Sequence, residues 1–198
     1  MPLAPTPLLR SKFDEGLDYE RLLTLAQANG MDGPWRQRYD MLALTEAQHT
    51  LVAGFTRTMH VLCLTGPWCG DCALQGAAMR RIQQANPERI KLRYLVKDEA
   101  HAELVVAARL NDGFRVPVTF FLSEDFELVS SFGDRTLSRY QGMAVKALPP
   151  AEAEALRLPQ RTQDRDPVRA VLNECLDEFE RVHLLLRLSG RLRKLHGD

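Results

Sequence analysis

The sequence has no surplus of either charge: 26 Lys and Arg residues face 26 Asp and Glu residues in a chain of 198. A chain devoted to nucleic-acid phosphates normally carries a basic excess, so that class is disfavoured. No run approaches the ~18 apolar residues of a membrane span. The opening, Met1-Pro2-Leu3-Ala4-Pro5-Thr6-Pro7, has prolines where a signal peptide has its apolar stretch. Cysteines are few, at positions 63, 69, 72 and 175, too sparse for a secreted disulfide scaffold. A second Cys-x-x-Cys is missing and His101, His183 and His196 are scattered, so the four-ligand closure of a zinc site is absent. Internal repeats and low-complexity tracts are lacking too. The expectation left is a soluble, cytoplasmic protein without metal or cofactor, in a reducing compartment where a Cys-x-x-Cys is catalytic or metal-binding rather than a structural staple.

What is present suffices for one domain with appendages: 45% of residues are hydrophobic and 26% charged. The proline-rich first ten residues read as a loose tail. Asp18 caps a helix carrying Leu22, Leu23, Leu25 and Ala26, Gly33-Pro34 starts a second, and Thr45-Glu46-Ala47-Gln48 is a capping box for a third. From residue 59 the period changes. Strands are predicted over 59–64, 90–96, 116–122 and 126–132, helices over 69–84, 99–110 and 135–147, and a hairpin turn at Ser123-Glu124-Asp125. Strand–helix alternation implies parallel pairing, and the hairpin adds an antiparallel pair. Pro149-Pro150 breaks the chain, and a polar stretch leads to Asp166-Pro167. A long amphipathic helix follows with Val168, Val171, Leu172, Cys175, Leu176, Phe179, Val182 and Leu186 on one face. The predicted organisation is a helical extension over 1–57, an α/β unit with a mixed central sheet over 58–148, and a linker plus amphipathic helix over 149–198.

The chemistry converges on Trp68-Cys69-Gly70-Asp71-Cys72, between a buried strand and a helix. A thiol at a helix N-terminus faces unpaired N–H groups and the positive end of the dipole, both of which favour thiolate. Cys69 is the expected nucleophile, forming a mixed disulfide with substrate that Cys72 resolves.

This motif, together with Val116-Pro117-Val118-Thr119-Phe120-Phe121, resembles the thioredoxin superfamily over roughly residues 58–148. Trp-Cys-Gly-Asp-Cys, Val96-Lys97-Asp98-Glu99, Arg115-Val116-Pro117 and Phe132-Gly133-Asp134-Arg135 are similar, more narrowly, to a bacterial branch with helices ahead of the core. The resemblance implies a thioredoxin-like fold and redox class. It implies a cis Pro117 facing the site, Val116 offering backbone groups to a bound peptide, and Arg135 at the site edge. Three positions depart from the wider pattern. Asp71 stands where proline is usual, and its charge opposes the thiolate. Cys63 occupies the place of a buried acid that moves the resolving thiol's proton. Ala77, preceded by Gly76, replaces a helix-kinking proline, and Gly76 offers flexibility without forcing a kink.

Several positions carry a plainer reading. Cys63 on a buried strand is an apolar filler, with a third redox thiol as the alternative, and Cys175 on an apolar helix face is filler as well. Trp68 is core packing or a plate facing the substrate, and Arg135 is a surface charge if not a site-edge residue. The last helix, about 40 Å long at 1.5 Å per residue, is a packed lid whose length keeps a homodimer or docking role open. The favoured function is a disulfide reductase acting on a disulfide-containing protein or a low-molecular-weight thiol, recharged by an electron-donating reductase or a small thiol. The alternative is a binding or adaptor protein whose added helices carry the function. Peroxidase activity is weaker still, because no dedicated peroxide-site motif is found.

Overall fold

A computed structural model describes residues 4–197. Four strands form one mixed sheet: β1 (Met59–Thr65), β2 (Ile90–Val96), β3 (Val118–Leu122) and β4 (Leu128–Gly133), in the order β2-β1-β3-β4. β1 pairs parallel to β2 and antiparallel to β3, and β3 pairs antiparallel to β4. This is the α/β arrangement with a mixed central sheet that the sequence predicts. The crossover between β2 and β3 nevertheless returns antiparallel to β1, where alternation alone suggested parallel pairing.

Alternation along the strands builds two cores. Met59, Val61 and Cys63 of β1 share one face with Ile90, Leu92 and Tyr94 of β2. Leu62 and Leu64 turn to the other face, with Leu95, Val118, Phe120 and Leu122. The first face is covered by α2 (Tyr19–Ala28), α3 (Gly33–Met41), α4 (Glu46–Ala53), α5 (Gly70–Ala85) and α10 (Pro167–Leu188). The second is covered by α1 (Thr6–Glu15) and α6 (Ala102–Ala107). α7 (Leu137–Ala147), α8 (Pro150–Ala155) and α9 (Leu158–Thr162) follow the hairpin, and α11 (Gly190–His196) ends the chain.

The local signals explain these elements. Asp18 accepts from the Arg21 N–H at the start of α2, and Thr45 and Gln48 form a reciprocal capping box on α4. Asp166 accepts from Val168 and Arg169 at the start of α10, with Pro167 in the first turn. The tail is corrected: from Thr6 the chain is helical, and Leu9 and Phe13 are buried. Pro7 lies in the first helical turn, where its missing N–H costs nothing. Of the expected tail, Met1 to Leu3 lie outside the described residues. The predicted helix 99–110 is a 3₁₀ turn, Glu99–His101, running into α6. The polar stretch after Pro149-Pro150 folds as α8 and α9. The final helix stops at Ser189, whose side chain then caps α11. The whole predicted apolar face of α10 is buried within the chain. Phe179 meets Phe121 of β3 edge-to-face, with ring centroids 5.0 Å apart.

Candidate active site

β1 ends at Thr65, and the turn Gly66-Pro67-Trp68 delivers Cys69 to the N-cap of α5. The Cys69 N–H donates to the Gly66 carbonyl at 3.0 Å, closing the turn. Its sulfur does what a capping oxygen does elsewhere, accepting from the Cys72 N–H at 3.4 Å. Cys69 is half-buried and Cys72 fully buried one turn behind it. The hydrogen bond from the Cys72 thiol, then the backbone N–H groups of Cys72 and Asp71, pull the Cys69 pKa down to about 6. Burial and the Asp71 charge act against them. Burial first, then the neighbouring Cys69 sulfur, push Cys72 far above the ordinary thiol range. One thiol is thus disposed to ionise and the other to stay protonated.

The Val116-Pro117 peptide is cis and lies over the pair, with the Val116 carbonyl 3.7 Å from Cys69 Sγ. Gly133, the last residue of β4, packs closely against it. A Cβ at Gly133, whose φ is +151°, would stand 2.5 Å from the Pro117 carbonyl oxygen, so only glycine fits there. Trp68 is more than half exposed, its indole folded back onto Gly66.

Beneath the turn, Trp35 of α3 is fully buried and donates its indole N–H to the Pro67 carbonyl at 3.1 Å. A Cβ on Gly76 would meet that ring at 2.3 Å. This corrects the reading of Gly76 as a point of flexibility: its missing side chain makes room for Trp35.

Asp71, between the cysteines, is buried and doubly held. Arg135 Nε reaches Oδ2 and Arg139 Nε reaches Oδ1, each at 2.7 Å. The charge opposes the Cys69 thiolate as the sequence implied, but the S–H and N–H donors around the sulfur outweigh it. The neighbouring Asp134 accepts from Arg115 at 3.1 Å, from Arg135 at 3.2 Å and from the Tyr140 hydroxyl. Burial pushes the Asp134 carboxyl up, yet the bonds from Tyr140 and Arg115 outweigh it and hold it below the usual carboxylate range. Gln75, one turn along α5, donates to the Asp134 carbonyl at 2.9 Å.

Of the residues predicted for the site, Cys69, Cys72, Trp68, Asp71, Val116, Pro117 and Arg135 gather at this end of the sheet. Cys63 sits deeper on β1, fully buried, and burial pushes its thiol up to about 12. At neutral pH it is a neutral thiol, with no charge to take a proton as an acid would. Trp35, Gln75, Asp134, Arg139 and Tyr140 were not foreseen as site residues. The spacing of Arg135 and Arg139, one helical turn apart and after Gly133-Asp134, was the available signal for part of the set. Among the described residues no group of three or more His, Cys, Asp or Glu side chains is placed to hold a metal. No helix among them is long and apolar enough to cross a membrane. A cleft of about 380 Å³ at the start of α10, lined in part by Leu137, Arg165 and Arg169, includes neither Cys69 nor Cys72.

No curated protein matches the chain. Among solved structures, it is similar to PA1234, a protein of unknown function from Pseudomonas aeruginosa. That match has 21% identity and a TM-score of 0.55, over 86% of this chain and 93% of that one. It is also similar to an HIV epitope-scaffold, at 22% identity and a TM-score of 0.53, over 85% of this chain and 96% of that one. Likeness at this level of identity speaks to the fold. The family model described as thioredoxin matches residues 17–147, most of the chain and all of the sheet, and on that match the chain belongs to the thioredoxin family.

Proposed function

We propose that the protein is a thiol–disulfide oxidoreductase whose dithiol form reduces disulfides. The observation that carries this reading is the asymmetry of the cysteine pair. A half-buried Cys69 sulfur caps α5 and is held by N–H groups, and a buried, protonated Cys72 stands behind it. Cys69 thiolate attacks one sulfur of the substrate disulfide, and the other leaves as a thiolate that takes a proton from solvent. Cys72 then attacks the Cys69 sulfur of the mixed disulfide, its proton passing to the departing substrate sulfur. The second substrate sulfur departs and a Cys69–Cys72 disulfide remains, two electrons having passed to the substrate. In this reading Trp68 walls the groove, and Val116 offers backbone groups to a peptide lying beside Pro117.

The dithiol must be regenerated by an electron-donating reductase or a low-molecular-weight thiol, which suits a reducing, cytoplasmic setting. The flanking helices of 1–57 and 149–198 serve the central unit as a brace, Trp35 being their contact with the active-site turn. The test is reduction of insulin or of a small mixed disulfide. The wild type is expected to turn over and Cys69→Ser to be inactive. A wild type that reduces neither substrate, or a Cys69→Ser variant that matches it, would overturn the reading in favour of a binding or adaptor role.

A further inference from the structure

Five charged side chains form one cluster beside the cysteine pair, and burial separates their signs. The two acids lie beneath, with side chains only 10% exposed at Asp71 and 7% at Asp134. The three guanidiniums that hold them lie outside, with side chains 42% exposed at Arg115, 29% at Arg135 and 39% at Arg139. Three cations against two anions leave these side chains one positive charge in excess, which balances the Cys69 thiolate, and the guanidiniums rather than the acids face solvent.

Position ties this rim to the nucleophile. Asp71, to which Arg135 and Arg139 are bonded, is two residues from Cys69 and contributes a backbone N–H to its sulfur. Arg115 immediately precedes Val116, whose carbonyl contacts Cys69 Sγ. The donors are not used up by the acids. Arg139 holds Asp71 through Nε, leaving both terminal amino groups of its guanidinium outside that bond. Arg115 reaches Asp134 through one terminal amino group. A guanidinium fixed by a buried carboxylate is oriented in advance, so an incoming anion meets aligned donors at little further entropic cost.

We propose that this rim selects disulfides that carry a carboxylate close to the reacting sulfurs. The proposal rests on the disulfide-reductase reading and adds a substrate class to it: anionic disulfides, whether small molecules or peptide segments with an acidic residue beside the cysteine. It adds no covalent step. The carboxylate pairs with Arg115 or Arg139 as the disulfide approaches Cys69, and is released with the reduced thiol.

The test compares three small disulfides of similar size at low salt: dithiodipropionate (anionic), hydroxyethyl disulfide (neutral) and cystamine (cationic). Each rate is divided by that of dithiothreitol with the same compound, which removes intrinsic reactivity. A pair of peptide disulfides differing only in Glu or Lys beside the cysteine distinguishes the two sources of the carboxylate. The expected result is about a three-fold preference for the anion over the neutral compound and a larger one over the cation, both shrinking towards none at 1 M salt. Arg139→Gln leaves Asp71 one partner and slows all three compounds together. A rim role additionally lowers the ratio between them, which a purely structural role would not move. Arg115→Gln supplies the same ratio without touching Asp71. Preference in the peptides alone places the selected carboxylate on a polypeptide, and preference in both sets means the charge alone suffices. Equal normalised rates in both sets, or a preference for the cation, overturn the proposal. No reduction of even the neutral compound overturns the oxidoreductase reading instead.

Discussion

Asp71 poses the sharpest problem at the scale of single residues, because a buried carboxylate two positions from a thiol should hold that thiol protonated. The two arginines resolve it, one on each oxygen. Removing both, as Arg135→Gln with Arg139→Gln, should raise the Cys69 pKa by about one, a roughly ten-fold slower alkylation at pH values below both pKa values. Adding Asp71→Asn to that double variant should restore most of the loss. The pH dependence of iodoacetamide alkylation reads both, and an unchanged profile in the double variant would refute the pairing argument. Depression of Cys69 from 9.0 to about 6 has a second consequence. A depressed acid stabilises the folded reduced protein fully above its unfolded pKa and loses that contribution as pH falls through the folded one. The stability difference between reduced wild type and Cys69→Ser should therefore shrink from about pH 9 down to about pH 6, measured by urea unfolding at stepped pH. The Cys69–Cys72 pair at the head of a helix, with Asp71 between its members, was readable from spacing and charge. Arg139 was not, since an arginine on a helix has the same sequence signature whether it faces water or a buried acid 68 positions away.

Among the elements, the contact of α3 with α5 shows how a residue's role can reverse between chain and fold. Taken alone, Gly76 within a helix is a weakness that alanine would relieve by about 1 kcal/mol. In the fold its missing side chain admits Trp35, and the Tyr94 hydroxyl donates to its carbonyl at 2.7 Å. Gly76→Ala should destabilise by about 1–3 kcal/mol in chemical denaturation, as overpacked cores do. A gain in stability would show that the Trp35 contact is loose. Caps and periodicity made most elements legible: Asp18, Thr45 and Asp166 start their helices where the sequence places them. α1 escaped because Pro5 and Pro7 read as blocking helix, whereas prolines at a helix entrance are compatible with it. α8 and α9 escaped because six and five residues are too short to display a period.

For the molecule as a whole, one sheet is closed on both faces by helices from both ends of the chain. Leu9 of α1 belongs to one core and Phe179 of α10 to the other. Leu9→Ala should cost about 2–5 kcal/mol and Phe179→Ala about 3–5 kcal/mol, read as shifts in the denaturation midpoint. Little change in either would mean that the flanking helices are dispensable covers. The apolar run over 59–64 foretold a buried strand, but which helix closes which face depends on contacts between residues far apart in sequence, and no local pattern records those. The N-terminal helices also hold the turn ahead of Cys69, through the Trp35 indole bonded to the Pro67 carbonyl. The central claim is that Cys69 at the head of α5 is the attacking sulfur. Incubating Cys72→Ser with a peptide disulfide and mapping the trapped adduct by mass spectrometry tests it most directly. A stable mixed disulfide on Cys69 is expected; the absence of any adduct, or one mapped only to Cys63 or Cys175, would contradict that role.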